Sequence, residues 1–267
     1  MKKIAFMFPG QGSQAVGMGK DFYESYPEVQ SMFKLAHEVL GADLPTLMFE
    51  GPEEKLTETE NAQPALLLSS MVAYQLLKNE GIEPDLVLGH SLGEYSALVA
   101  ANMMTLEEAL TLVKERGRLM EQAFPKGQGS MSAVLGLSET EISQAIEQVD
   151  HAEVVDIANL NCPGQIVISG SVKGLEQAEK HLLEAGAKRV IRLNVSGPFH
   201  SSLMKRAAET FAESLEAIQW QDANIPVYAN VTASKVTDRA IMKDLLIKQL
   251  YAPVRFDQSV RQRIDEG

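Results

Sequence analysis

The sequence predicts an α/β fold: a large domain built on a parallel sheet, interrupted by a smaller α+β domain. Three observations carry this expectation. Short apolar runs alternate with stretches of helical periodicity through the first half of the chain, the pattern of an open α/β sheet. The stretch DLVLGHSLGEYSALVA, Asp85 to Ala100, reads as a buried strand, a sharp turn and a helix. The middle of the chain then changes to the order β-α-β-β-α-β, the ferredoxin-like arrangement.

Each element has its own justification. Ile4 to Phe8 is apolar and stops at Pro9-Gly10, so it reads as a strand ending in a turn. Helical spacing follows from Phe22 to Val39, and again in PALLLSSMVAYQLLKNEG, with Pro64 placed at the helix start and Gly81 at its end. Leu86 to Gly89 forms the second strand and feeds the turn at Ser91. After FPKGQGS (124–130) come a strand at Met131–Leu137 and a helix at Ser138–Val149. Strands at Glu153–Leu160 and Gln165–Gly170 follow, then a helix at Gly174–Gly186 and a strand at Arg189–Val195. SGPFHSSLMKRAAETF then reads as a loop into a helix. The domains expected are therefore a large one over 1–126 and 196–267 and a ferredoxin-like insert over 127–195.

Composition narrows the class. Hydrophobic residues make up 45% and charged residues 22%, ordinary for a soluble globular chain. Thirty-six acidic against twenty-four basic side chains give a net charge of −12, which argues against nucleic-acid binding. The single cysteine, Cys162, leaves no intramolecular disulfide and fits a reducing compartment. The N-terminal apolar run is too short for a signal-peptide core, and no stretch has the length of a membrane span. A cytoplasmic protein is expected, with no metal, because paired histidines and acidic ligand clusters are lacking.

Ser91 lies in Gly89-His90-Ser91-Leu92-Gly93. A serine hydroxyl is a weak nucleophile until a base takes its proton. A strand-to-helix turn of the α/β-hydrolase-like kind exposes the oxygen, and flanking glycines remove side chains that would clash there. The same turn aims helix N–H groups at the place where an oxyanion would form. The base should be a histidine on another element. Among His37, His90, His151, His181 and His200, the last is preferred, because VSGPFHSS presents it on a loop between a strand and a helix. The only aspartates between serine and histidine, Asp150 and Asp156, have no context suggesting a third catalytic member. In LEEALTLVKERGRLM, Arg116 falls on the edge of the apolar stripe Leu106, Leu110, Val113, Gly117 and Met120. Its partner there is either an internal carboxylate or a substrate carboxylate. Gly10-x-Gly12-x-x-Ala15 formally matches a dinucleotide fingerprint but lacks the second strand with an acidic end, so no nucleotide cofactor is expected.

Taken together, FPGQGSQ, NAQPALLLSS, GHSLGEYSAL, RGRLM and GPFHSS resemble the malonyl-CoA:acyl-carrier-protein transacylases of fatty-acid synthesis. The resemblance implies a ping-pong transfer of malonyl from coenzyme A to a carrier's phosphopantetheine thiol. It makes Ser91 the nucleophile, His200 the base and then acid, and the amides of Gln11 and Leu92 the oxyanion hole. Arg116 would hold the malonyl carboxylate, the Gln249 main-chain carbonyl would orient His200, and Gln63 and His90 would line the site. No bound cofactor is implied, only the coenzyme A thioester as substrate. The partner would be an acidic acyl carrier protein, met by a monomer through a local basic patch at Lys188, Arg189, Arg192, Lys205 and Arg206. Members usually continue a few dozen residues past the equivalent of Gly267, so a final strand and helix are expected to lie outside this sequence. Two rival readings remain: a serine esterase or thioesterase using the same pair, and a non-catalytic carrier-binding subunit.

Overall fold

The computed structural model describes residues 3–265; the domain limits expected at 1 and 267 lie outside the described residues. In chain order the elements begin with β1 (Ala5–Phe8), α1 (Lys20–Ser25), α2 (Gln30–Leu40), α3 (Leu44–Glu50), α4 (Glu53–Thr57) and α5 (Thr59–Asn79). They continue with β2 (Leu86–Gly89), α6 (Leu92–Ala100), α7 (Leu106–Gln122), β3 (Gly129–Leu135), α8 (Glu139–Ile146), β4 (Val155–Cys162) and β5 (Gln165–Ser171). Then come α9 (Val172–Glu184), β6 (Arg189–Arg192), α10 (Lys205–Glu216), β7 (Val227–Tyr228), β8 (Lys235–Val236), α11 (Arg239–Gln249) and α12 (Phe256–Asp265). The chain is thus an α/β protein, and it divides into two compact units.

The first unit comprises Met1–Arg118, Ser214–Ala229 and Ser234–Lys243. Its sheet has the order β1-β2-β7-β8, with β1, β2 and β7 parallel and β8 returning antiparallel. β2 is buried along its whole length, as a central parallel strand covered on both faces must be. α5 and α6 pack on one another and supply Leu66, Leu67, Leu68, Leu92 and Leu98 to the core.

The second unit comprises Leu119–Glu213, Asn230–Ala233 and Asp244–Gly267. Its sheet is antiparallel in the order β4-β5-β3-β6. α8 and α9 bury Ile142, Ala145, Leu175, Ala178 and Leu182 against Val134, Ile166 and Ile168 of the strands. α8 starts from a complete capping box, with Ser138 and Glu141 exchanging bonds at its N-terminus. Among the described residues no helix is long and apolar enough to cross a membrane.

Two helices differ from the sequence expectation. The helix expected over Phe22–Val39 is broken: Tyr26 is extended (φ −129°, ψ 94°) before Pro27, and a 3-10 turn, Pro27–Val29, separates α1 from α2. Proline disfavours helical geometry in the residue before it, which is the cause. In the other case Pro64 does not start α5 but sits inside it, five residues past Thr59. Residues Ala62 to Leu68 are all buried, and that packing outweighs the hydrogen bond the proline ring removes. The final strand expected to reach Val195 ends at Arg192.

Candidate active site

Ser91, Leu92, His90, Gln11, Gln63 and Arg116 belong to the first unit; His200 and Gln249 belong to the second. The serine stands at the junction of β2 and α6 with φ 51° and ψ −101°, a left-handed conformation that a non-glycine residue adopts only under constraint. The constraint is visible on both sides. β1 and β2 run in register from Ala5–Leu86 to Phe8–Gly89, and the His90 N–H donates to the Phe8 carbonyl at 3.0 Å. On the helix side, the Gly93 N–H donates to the His90 carbonyl at 2.9 Å and the Glu94 N–H to the Ser91 carbonyl at 3.1 Å. A Cβ on Gly89 would lie 1.9 Å from the Gly93 carbonyl carbon, and one on Gly93 would lie 2.2 Å from the Phe8 carbonyl oxygen. Only glycine fits at either position, so the spacing of the motif follows from the closeness of the turn. Leu92 is the first residue of α6, and its N–H is one of the donors a helix cannot satisfy internally.

Arg116 is 1% exposed and is the largest fully buried side chain among the described residues. Its Nη1 donates to Gln63 Oε1 at 2.8 Å and its Nη2 to Ser91 Oγ at 3.1 Å. The guanidinium carbon lies 5.2 Å from the centre of the Tyr95 ring. Burial pushes the guanidinium below its ordinary range, with Tyr95 and the buried carboxylate of Glu94 opposing that shift. Burial likewise pushes the Tyr95 phenol up, against the pull of Arg116. A charge taken from water is costly unless paired and hydrogen-bonded, and here two of its bonds go to neutral oxygens. Chemically, the arrangement offers a fixed cation beside a hydroxyl. By donating to Oγ it occupies an acceptor site of the serine, so the hydroxyl proton points away from the guanidinium. The approach depends on Gly117, whose Cβ would lie 2.7 Å from Glu60 Cα and from the Thr59 carbonyl oxygen. Gln11 follows β1, and its Nε2 donates to Thr59 Oγ1 at the start of α5 at 3.2 Å.

In the second unit His200 is 4% exposed and has φ 57°. Its Nδ1 lies 2.7 Å from the main-chain carbonyl of Gln249, and its own N–H donates to the Leu250 carbonyl at 3.1 Å. A carbonyl only accepts, so Nδ1 carries the proton, and a neutral ring held this way has its lone pair on Nε2, the form a general base needs. Gln249 is held in turn by Asn230, whose Oδ1 accepts from Gln249 Nε2 at 3.3 Å; both residues are buried. The other histidines are placed differently. His37 is exposed beside Asp43, His151 is exposed, and His181 lies 3.5 Å from Glu184 on α9.

Of the basic residues expected to form a patch, Lys188, Arg189, Lys205 and Arg206 are exposed. Arg192 is half-buried and donates through Nε to Glu179 at 2.7 Å, an acceptor that also takes the Ser132 hydroxyl at 2.6 Å. Sequence reasoning missed Thr59, Glu94, Tyr95 and Asn230. Glu94 and Tyr95 stand inside the GHSLGEY motif, where a charged residue in an otherwise apolar helix start was an available signal. Asn230 gave none.

A family profile described as acyl transferase domain matches residues 5–267. The chain is 51% identical over 268 residues to a malonyl CoA-acyl carrier protein transacylase of Bacillus subtilis (strain 168), covering all of this chain and 84% of that protein. It is 45% identical to a protein of the same name from Staphylococcus aureus (strain MRSA252), covering 100% and 86%. Among solved structures, an acyl carrier protein S-malonyltransferase from Vibrio cholerae O1 biovar eltor aligns with TM-score 0.97 and 45% identity, covering 100% of this chain and 87% of that one. A malonyl-transacylase in complex with a type II PKS acyl-carrier protein aligns with TM-score 0.97 and 40% identity, covering 100% and 86%.

Proposed function

This chain belongs to the acyl transferase family, and we propose that within it the protein transfers malonyl from malonyl-CoA to the phosphopantetheine thiol of an acyl carrier protein. The observation that carries the reading is the buried guanidinium of Arg116, forked between Gln63 and the Ser91 hydroxyl. An esterase of simple acyl groups has no use for a fixed cation at its nucleophile. An acyl group ending in a carboxylate does, because the planar fork can receive it through two charge-assisted bonds.

The reaction then runs in two halves. Ser91 Oγ attacks the thioester carbonyl while His200 Nε2 takes its proton, and the N–H groups of Gln11 and Leu92 hold the oxyanion. The carbon–sulfur bond breaks, His200 returns the proton to the departing coenzyme A sulfur, and malonyl-Ser91 remains. In the second half the carrier thiol gives its proton to His200 and attacks the ester. The Ser91 oxygen leaves and recovers that proton. The main-chain carbonyl of Gln249 keeps the imidazole in one tautomer through both halves, and Gln63 and His90 line the site. The protein acts as a cytoplasmic monomer, and its carrier docks on basic side chains that include Lys205 and Arg206.

The finer fold reading belongs with this function. An α/β-hydrolase-like domain, 1–126 with 196–267, would carry the serine, and a ferredoxin-like insert would span 127–195. The β-α-β-β-α-β order of β3 to β6 supports it.

Intact-protein mass spectrometry tests the activity. Brief exposure to malonyl-CoA should add one malonyl group, Ser91→Ala should take none, and pantetheinylated carrier protein should discharge it. An adduct that decays equally fast without carrier would make the protein a hydrolase.

A further inference from the structure

Asp156 was one of the two aspartates that the sequence left without a part. It lies on β4, an edge strand of the antiparallel sheet, and its Oδ2 accepts two hydrogen bonds from Ser202. One comes from the backbone N–H and one from the hydroxyl, each at 2.8 Å. Ser202 is two residues past His200. Between them Ser201 is fully buried, with its hydroxyl donating to the Pro198 carbonyl at 2.6 Å. His200 itself sits at a positive φ that its Cβ disfavours, so something must hold the backbone on either side. On its own residue the N–H is tied to Leu250; on the C-terminal side the first anchor outside the loop is Asp156.

The same strand holds the other half of the histidine's surroundings. β4 is irregular between Ile157 and Asn159, and the freed backbone there receives the chain that follows Gln249 and Leu250. The Val254 N–H donates to the Ala158 carbonyl at 2.8 Å, and the Leu160 N–H donates to the Val254 carbonyl at 2.9 Å. β4 therefore fixes both the loop that carries the imidazole and the segment whose carbonyls receive its two N–H groups.

We propose that Asp156 is a positioning residue for His200: through Ser202 it locks the strained loop at the angle that keeps Nδ1 on the Gln249 carbonyl and aims Nε2. The link to chemistry rests on the reading of His200 as the base; the link to geometry does not. A carboxylate that only capped the 3-10 turn Ser202–Met204 would affect stability alone, so the test needs readouts that capping does not move.

Two are suited. The first is the rate of malonyl-Ser91 formation at saturating malonyl-CoA, by rapid quench and mass spectrometry. The second is the downfield proton NMR resonance of the Nδ1–H, assigned by its loss in His200→Ala. Asp156→Ala should slow acylation by on the order of 10- to 100-fold, the cost of misplacing a catalytic group by about an ångström. The half-saturating concentration should stay unchanged, and the resonance should broaden or vanish. Asp156→Asn keeps an acceptor oxygen and should restore both. Ser202→Ala keeps the backbone bond and should fall between. Wild-type acylation with an intact resonance in Asp156→Ala overturns the proposal, as does failure of Asp156→Asn to rescue. Should Asp156→Ala not fold, an unaltered rate and resonance in Ser202→Ala overturns it. If the wild-type protein forms no adduct, the proposed function fails, and the resonance alone still decides the role of Asp156.

Discussion

On the proposed reading, Arg116 is the residue that sets specificity. It is buried, it is charged, and it donates one bond to Gln63 and one to the Ser91 hydroxyl oxygen. Hydrogen bonds to charged groups contribute roughly 1.5–3 kcal/mol each, so a two-bond grip on a substrate carboxylate is worth about 3–6 kcal/mol. Arg116→Ala should lower the second-order rate constant for malonyl-CoA by roughly 10²–10⁴-fold while leaving acetyl-CoA far less affected. Arg116→Lys should not restore malonyl-CoA, because an ammonium lacks the planar fork. Comparing initial rates for the two thioesters across these variants checks both statements. At this scale the sequence was informative where a residue acts through its own position. Ser91 could be read from the turn chemistry around it, and the burial of Arg116 from its angle on a helix. Residues that act through another were silent. Asn230 reaches the site through the Gln249 side chain and Asp156 reaches His200 through Ser202, and both links join distant parts of the chain.

The elements show why the charge sits where it does. α7 approaches the start of α5 so closely that Gly117 has no room for a side chain, and Arg116 on one helix thereby meets Gln63 on the other. Gly117→Ala should push the helices apart. Overpacking of this kind costs typically about 1–3 kcal/mol, seen as a lower thermal midpoint. A larger loss should appear in malonyl transfer than in the same protein's stability ranking, because the arginine fork moves with the helix. Calorimetry and initial rates on one preparation separate the two effects. The strands β1 to β6 were legible within a few residues from apolar runs and turn signals. The short strands β7 and β8 were not, since two-residue strands carry no periodicity. Pro27 and Pro64 show the limits of a local rule. The same residue type breaks a helix in one place and is absorbed in another, and the buried surroundings of Pro64 decide it.

For the molecule as a whole, charge is the relevant quantity. On the proposed reading, a net charge of −12 would repel an acidic carrier at long range, so productive encounter would depend on local cations. Lys205 and Arg206 open α10 on exposed positions, whereas Arg192 is engaged with Glu179 inside its own unit. Reversing charge at Lys205 and Arg206 together should raise the carrier's apparent KM and steepen nothing else: formation of malonyl-Ser91 from malonyl-CoA should keep its rate. An unchanged carrier KM would remove those two side chains from the docking surface. β1 adds a consequence of a different kind. It runs in register with β2 from Ala5–Leu86 to Phe8–Gly89, and its Phe8 carbonyl receives the His90 N–H, so the turn that carries Ser91 is stitched to the strand beside it. Heating should therefore loosen that turn and this part of the sheet together, not one before the other.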